Sequence, residues 1–375
     1  MKVKKTGVAL PAIHEMGRKI EELSRISGQE YLFLHRGVNS VVNVDLNEVV
    51  KLIDFNNTKM QSYPPSSGRE ELRQAINTEY FGGKTDIKRI SVCSGGMPGI
   101  DTAFQIVDVR KIYLPVYHWG NYHNAMKIRN IEYDEYEVFD DLEKIMPEIA
   151  DCAVLLGDPG NPFGNKYDDE EIFAVIKRLN DNGTIVFYDS PYRRVFCGSE
   201  DNFYQRLLDL ENVVILDSFS KSLGLSGQRL GFVHSTNDEF NHEMAVRLAF
   251  ATNGTNAFSQ ILIEKLLTTP EGKKAINDFK TTTVAEITAN IKYLGDNGFI
   301  ASEFYKNCTP VGIFAIVNVS EEELLANRIG SVSLAKFTLT RKTEAAKYSR
   351  VCVSIPHAKF VEFFELLKKN VVNNQ

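Results

Sequence analysis

Paired cysteines are missing from this sequence. Cys93, Cys152, Cys197, Cys308 and Cys352 are scattered and odd in number, with no Cys-x-x-Cys, so neither a zinc site nor a disulfide framework is expected. Reduced thiols are the default. Long apolar runs are also lacking: Val8-Ala9-Leu10 near the amino end is far shorter than a signal core or a membrane span. The expectation is a cytoplasmic protein with no membrane partner. No basic block or Lys/Arg stripe occurs, and the net charge is −6, which argues against nucleic acid as the main partner. The glycine turn Ser94-Gly95-Gly96-Met97-Pro98-Gly99 carries neither Gly-Lys-Ser/Thr nor Gly-x-Gly-x-x-Gly, so neither a P-loop nor a dinucleotide fold is supported. A small-molecule substrate fits these absences better.

The chain has 375 residues, 43% hydrophobic and 25% charged, ordinary for a globular protein of two or three domains. Strand-like and helix-like stretches alternate through most of it, which indicates an α/β fold. The most informative stretch is Ser218-Phe-Ser-Lys-Ser-Leu-Gly-Leu-Ser-Gly-Gln-Arg-Leu-Gly231, which follows the apolar run Val213 to Leu216. A strand opening into a polar turn is where ligands sit in α/β sheets. Lys221 can form a Schiff base with an aldehyde, and Ser218, Ser220 and Arg229 can hold a phosphate. Together these features suggest pyridoxal phosphate.

Other segments suit the same ligand. Ile90, Val92 and Cys93 end a strand at Gly95, Gly96 and Met97, and Ile100, Ala103, Phe104 and Val107 then recur at helical spacing. A strand, a glycine turn and a helix start make an anion cradle. Pro115 to Tyr122 is crowded with aromatics and holds the single tryptophan, Trp119; a flat ring there can stack on a flat cofactor. The strand Cys152 to Leu156 leads to Asn161-Pro162-Phe163-Gly164, and the strand Thr184 to Tyr188 delivers Asp189-Ser190-Pro191-Tyr192. A buried carboxylate at that strand end favours a protonated ring nitrogen. Arg193 and Arg194 read as solvated or supporting charges. A helix from Ile13 to Leu23 is stopped by Gly28, and Tyr31 to His35 reads as a strand entering Arg36-Gly37-Val38-Asn39. Asn237 to Leu267 is a long helical tract interrupted at Asn253-Gly254-Thr255-Asn256, and helical composition continues from Pro270 to Asn297. Ile313 to Val319 and Arg350 to Ser354 read as strands.

Taken in this order, the segments resemble the fold-type-I pyridoxal-phosphate enzymes, and within them the aspartate and aromatic aminotransferases of class I/II, over nearly the whole chain. The resemblance implies a large domain with a mostly parallel seven-stranded sheet between helices, residues 46–270. A smaller α+β domain, 271–375, is joined by the amino-terminal arm, 1–45. It implies that Lys221 carries the cofactor, that Asp189 partners the ring nitrogen, and that Asn161 and Tyr192 approach the phenolic oxygen. Gly95, Gly96, Met97, Ser218, Ser220 and Arg229 would surround the phosphate. Trp119, or alternatively Tyr117, would stack on the ring. Arg350 would grip the substrate carboxylate, with Asn161 and the backbone of Gly37 beside it. Asn39 and Phe163 depart from the family's usual proline and threonine. Tyr63 would reach the phosphate of the neighbouring subunit in a homodimer with shared active sites. Arg247 stands near, but out of register with, a partner-subunit arginine of acidic-substrate members. Amino transfer between an amino acid and a 2-oxo acid is the leading activity. Elimination, as in a carbon-sulfur lyase, and non-catalytic sensing of amino acids are the alternatives, the last lowered by the lack of a DNA-binding segment before Ile13.

Overall fold

The computed structural model describes residues 1–10, 12–198 and 200–372. Its centre is a seven-stranded sheet in the spatial order Ile90–Cys93, Gly231–Ser235, Val213–Ser218, Ile185–Asp189, Ala153–Gly157, Ile112–Pro115, Tyr133–Tyr136. All neighbours are parallel except Gly231–Ser235, which runs against both of its partners. The inner strands read as unbroken apolar runs because both faces are covered. Along them the side chains alternate between two cores. Val154, Leu156, Val186, Tyr188 and Ile215 join Leu72, Ile76, Ile172 and Leu266 on one face. Ala153, Leu155, Phe187, Val214 and Leu216 join Ile100, Phe104, Met126 and Leu248 on the other.

The helices that cover the sheet follow local rules. Glu70–Phe81 ends at Gly82, which adopts a φ of +61°, a conformation that costs glycine little. Asp168 caps Asp169–Asp181 by accepting hydrogen bonds from the amides of Glu170 and Glu171. The tract read as Asn237 to Leu267 divides into Asp238–Ala251 and Ala257–Thr268, with Asn256 capping the second through the amide of Ser259. The polar interruption in the sequence is thus a true break.

A second, smaller sheet has the order Phe314–Val317, Ser349–Cys352, Val332–Ser333, all antiparallel. The amino-terminal segment belongs beside it: Leu32–Phe33 pairs in parallel with Ile329–Gly330, and the Leu34 carbonyl accepts the Cys352 amide at 2.9 Å. The strand expected from Tyr31 to His35 is therefore only two residues long, because His35 turns its carbonyl to Arg350. The 27-residue helix Pro270–Asp296 feeds both halves of the molecule. Ala275 and Phe279 lie in the large core, while Ile287 and Leu294 pack with Phe314, Phe360 and Phe364 in the small one.

Arg193 and Arg194, read from the sequence as solvated or supporting charges, are 1% and 4% exposed. Arg193 forks onto Asp169 at 2.9 and 2.8 Å and onto Asp201 at 2.8 and 2.7 Å. It also approaches Asp158, which pairs with Lys166 at 3.1 Å. This network ties the loop after Gly157 to the loop after Asp189, the two loops that carry Asn161 and Tyr192. Arg193→Ala would leave Asp201, 7% exposed, without the fork that neutralises it, at an expected cost of about 3–5 kcal/mol. A urea titration measures it, and a loss below about 1 kcal/mol would show that the carboxylates find other partners.

Candidate active site

Strand register brings the functional strand ends together. Gly157 pairs with Asp189, Asp189 with Leu216, Ser218 with Gly231, and Gly231 with Cys93. Because Gly231–Ser235 runs backwards, its first residue stands between the last residues of its neighbours. A Cβ on Gly231 would lie 2.6 Å from the Asp217 carbonyl and 3.1 Å from the Gly96 nitrogen, so only glycine fits.

The Ser94–Gly99 turn and the Lys221 motif meet there. Gly95 has a φ of +107°, and Gly96 begins the helix Gly96–Ile106. A Cβ on Gly95 would stand 2.5 Å from the Arg229 guanidinium, and one on Gly96 would stand 3.3 Å from the Ser218 Cβ. Ser218 caps the short helix Phe219–Ser222 and hydrogen-bonds Ser220 at 3.0 Å through the hydroxyls. Free helix-start amides, including that of Met97, two hydroxyls and one guanidinium converge on one cradle, which suits a phosphate.

Asp189 ends its strand 6% exposed. Its Oδ2 accepts a hydrogen bond from the Tyr122 hydroxyl. Burial pushes the carboxyl up to about 7, and the Tyr122 bond opposes that rise. Tyr122 is itself packed edge-on to Trp119, with centroids 5.5 Å apart and planes at 88°. Tyr117 belongs elsewhere: it packs with Phe163 and Phe304 at 5.4 and 5.6 Å. Of the two stacking candidates, Trp119 is the one joined to Asp189.

Lys221 donates to the Gly37 carbonyl. Burial first, then the nearby Arg350 and Arg229 charges, lower its amine to about 8, partly offset by Cys352. Two residues before Gly37, the His35 carbonyl accepts from Arg350 at 2.6 Å, and the other Arg350 nitrogen donates to Asn161 Oδ1 at 2.9 Å. The Arg350 guanidinium is 1% exposed and lies over the rings of Phe314 and Phe337 at 4.1 and 4.7 Å. Burial lowers it to about 10. Among the described residues no carboxylate lies within 4.0 Å of it. A buried cation in that condition is costly until an anion arrives. Tyr192, raised above its usual range by burial, packs edge-on against Phe314 at 5.6 Å and senses both Arg350 and Asp189. Gly37 has no room for a side chain, since a Cβ would reach within 2.4 Å of the Phe314 ring.

Two expected residues stand apart within this chain. Tyr63 is 86% exposed, and Arg247 lies in the helix Asp238–Ala251. Sequence reasoning missed Tyr122, Phe314 and Phe337. The only available signal for Tyr122 was the aromatic density of its loop, and the two phenylalanines read as core.

A sequence profile described as aminotransferase class I and II matches residues 37–362. The chain belongs to that family. It is similar to an aspartate aminotransferase of Pyrococcus horikoshii, 23% identical over 58% of this chain and 59% of the relative. It also matches a histidinol-phosphate aminotransferase of Pyrococcus furiosus, 29% identical over 50% of this chain and 53% of the relative. The chain thus spans a little over half the length of these curated relatives. Its fold matches that of a Thermus thermophilus aspartate aminotransferase with maleate at a TM-score of 0.82 and 16% identity, covering 98% of this chain and 100% of that one. Members of the family use pyridoxal 5′-phosphate. The residues present fit that group: an anion cradle closed to any Cβ at Gly95, an acid at a strand end, and a buried amine between them.

An amine at about 8 rather than the ordinary 10.5 holds roughly 300-fold more of its free form at pH 7. The rate at which cofactor-free protein captures pyridoxal phosphate, followed by absorbance, is expected to rise with pH and level off just above 8. A rate still climbing at pH 10 would contradict this environment for Lys221.

Proposed function

We propose that this chain is a pyridoxal-phosphate-dependent aminotransferase that moves an amino group between an L-amino acid and a 2-oxo acid. One observation carries the reading. The Lys221 amine and the Arg350 guanidinium, which has no carboxylate partner among the described residues, bond carbonyls two residues apart on one segment, Gly37 and His35. An amine able to carry the cofactor and a cation free to take a carboxylate therefore border the same stretch of backbone, as a site that binds an α-amino acid requires.

When bound, the cofactor supplies an electron sink for the pair released at the substrate α-carbon. The chain's residues do the rest. Ser218, Ser220, Arg229 and the Gly95-Gly96-Met97 amides would hold its phosphate. Asp189 would keep a proton on the ring nitrogen, Asn161 and Tyr192 would hold the phenolic oxygen, and Trp119 would cover the ring. Arg350 takes the carboxylate in a two-point fork, with Asn161 and Gly37 flanking it. Lys221, once free, removes the α-proton; its lowered basicity leaves a useful fraction unprotonated near neutral pH.

The partner in this reading is a second copy of the chain. Tyr63 and Phe250 are 86% and 90% exposed, unusual for large apolar side chains. A Cβ on Gly254 would lie 2.8 Å from the Pro64 carbonyl, so the Tyr63 segment and the Asn253–Asn256 loop form one face. On that face Tyr63 would reach the phosphate cradle of the neighbouring subunit. The division into 1–45 with 271–375 and 46–270 belongs to the same reading, with the helix Pro270–Asp296 at the join. Five unpaired cysteines suit a cytoplasmic setting. Among the described residues no helix is long and apolar enough to cross a membrane.

The decisive assay supplies loaded protein with a panel of amino acids. Keto acid that forms only when a 2-oxo acid acceptor is present supports transfer, whereas pyruvate and ammonia without an acceptor would mean elimination, and a colour change without product would mean sensing. Arg350→Ala is expected to weaken amino-acid binding by on the order of 2–5 kcal/mol while sparing amines that lack a carboxylate. Equal losses for both would assign Arg350 to folding instead. For the shared site, Lys221→Ala and Tyr63→Phe chains are refolded together. Hybrids should recover activity at limiting cofactor, because one of their two sites is intact; tagged hybrids without recovery would remove Tyr63 from the partner's cradle.

A further inference from the structure

Asp189 has a single protein hydrogen-bond donor among the described residues, the hydroxyl of Tyr122, 67 positions away in sequence. Both side chains are buried, at 6% and 5% exposure. Tyr122 is held on three sides. Its amide donates to the Trp119 carbonyl at 3.0 Å, its ring meets Trp119 edge-on, and it lies in the first turn of the helix Asn121–Arg129, which packs against the cradle helix Gly96–Ile106. The hydroxyl therefore has little freedom to point elsewhere. The other ionisable groups near Asp189 are Tyr192, on the loop that follows it, and Asp217, at the end of the neighbouring strand. Neither supplies positive charge. Tyr204 and the Ser218 amide already occupy Asp217, at 2.7 and 2.6 Å.

A carboxylate buried without a donor is a strong base, and a strong base beside a pyridine nitrogen competes for the proton that should stay on the ring. A hydrogen bond to the ionised carboxylate weakens it as a base. We infer that Tyr122 is a positioning residue that keeps Asp189 ionised and thereby leaves the proton on the cofactor's ring nitrogen, while occupying Oδ2 so that Oδ1 is the oxygen turned to the ring. This rests on the reading that Asp189 faces that nitrogen. Tyr122 touches the reaction only through Asp189.

The test reads the proton directly. Holoenzyme is prepared with cofactor labelled with nitrogen-15 in the ring, and the ring nitrogen shift is recorded for the parent, Tyr122→Phe and Asp189→Asn at one pH. The expected result is a protonated nitrogen in the parent, a shift toward the unprotonated value in Tyr122→Phe, and a larger one in Asp189→Asn. A nitrogen as protonated in Tyr122→Phe as in the parent overturns the inference while leaving the role of Asp189 standing. An unmoved nitrogen in Asp189→Asn overturns both. A second measurement needs no cofactor: in full-length protein labelled at the aspartate carboxyl carbons, the Asp189 signal should titrate at higher pH in Tyr122→Phe. If that variant does not fold, fluorinated tyrosine at position 122, a stronger donor, should move the titration to lower pH, and no movement there would also overturn the inference.

Discussion

The parallel register at the carboxyl ends of the central strands is the constraint on which the rest of the site depends. Gly157, Asp189 and Leu216 stand side by side, and the reversed strand brings Gly231 between Ser218 and Cys93. The Gly95 turn and the loops that carry Asn161, Tyr192 and Lys221 leave the sheet from this line, and the small sheet supplies Arg350. A slip of one residue would turn Asp189 to the opposite face and send it into one of the two cores. The alternation of Val154, Leu156 and Tyr188 on one face with Leu155 and Phe187 on the other prevents that slip, because a shift would exchange two fitted cores.

Electrostatics then divides the site by sign. Arg350 and Arg229 are the positive charges that bear on Lys221, whereas Asp189 is buried with the Tyr122 hydroxyl as its donor. The protein leaves Arg350 without a carboxylate under two phenyl rings and lets only neutral oxygens touch it. The opposite solution appears next to Tyr192, where Arg193 is saturated by Asp169 and Asp201. The contrast sets Arg193, saturated by carboxylates, against Arg350, which has none among the described residues, and in the reading proposed above it is the second that takes a ligand. The same low-dielectric surroundings that make Arg350 hungry for an anion lower the Lys221 amine and raise the Asp189 carboxyl.

Much of this was legible in the amino-acid order. Strand-then-turn patterns located Lys221, Asp189, Asn161 and the Gly95 cradle at strand ends, since apolar runs and glycine punctuation are local signals. Helix limits came within a residue or two where caps are local, as at Asp168, Gly28 and Asn256. What local order decided, then, was which residue types stood at which strand ends, and with them the family. Tertiary structure decided who touches whom. Tyr122 reaches Asp189 across 67 positions and Arg350 reaches the His35 carbonyl across 315; no spacing rule spans such distances. The burial of Arg193 was misread for the same reason, because its carboxylates come from a loop and a helix that only the folded sheet brings together. Periodicity records a residue's immediate neighbours along the chain, whereas the charge state of a buried group is set by neighbours through space.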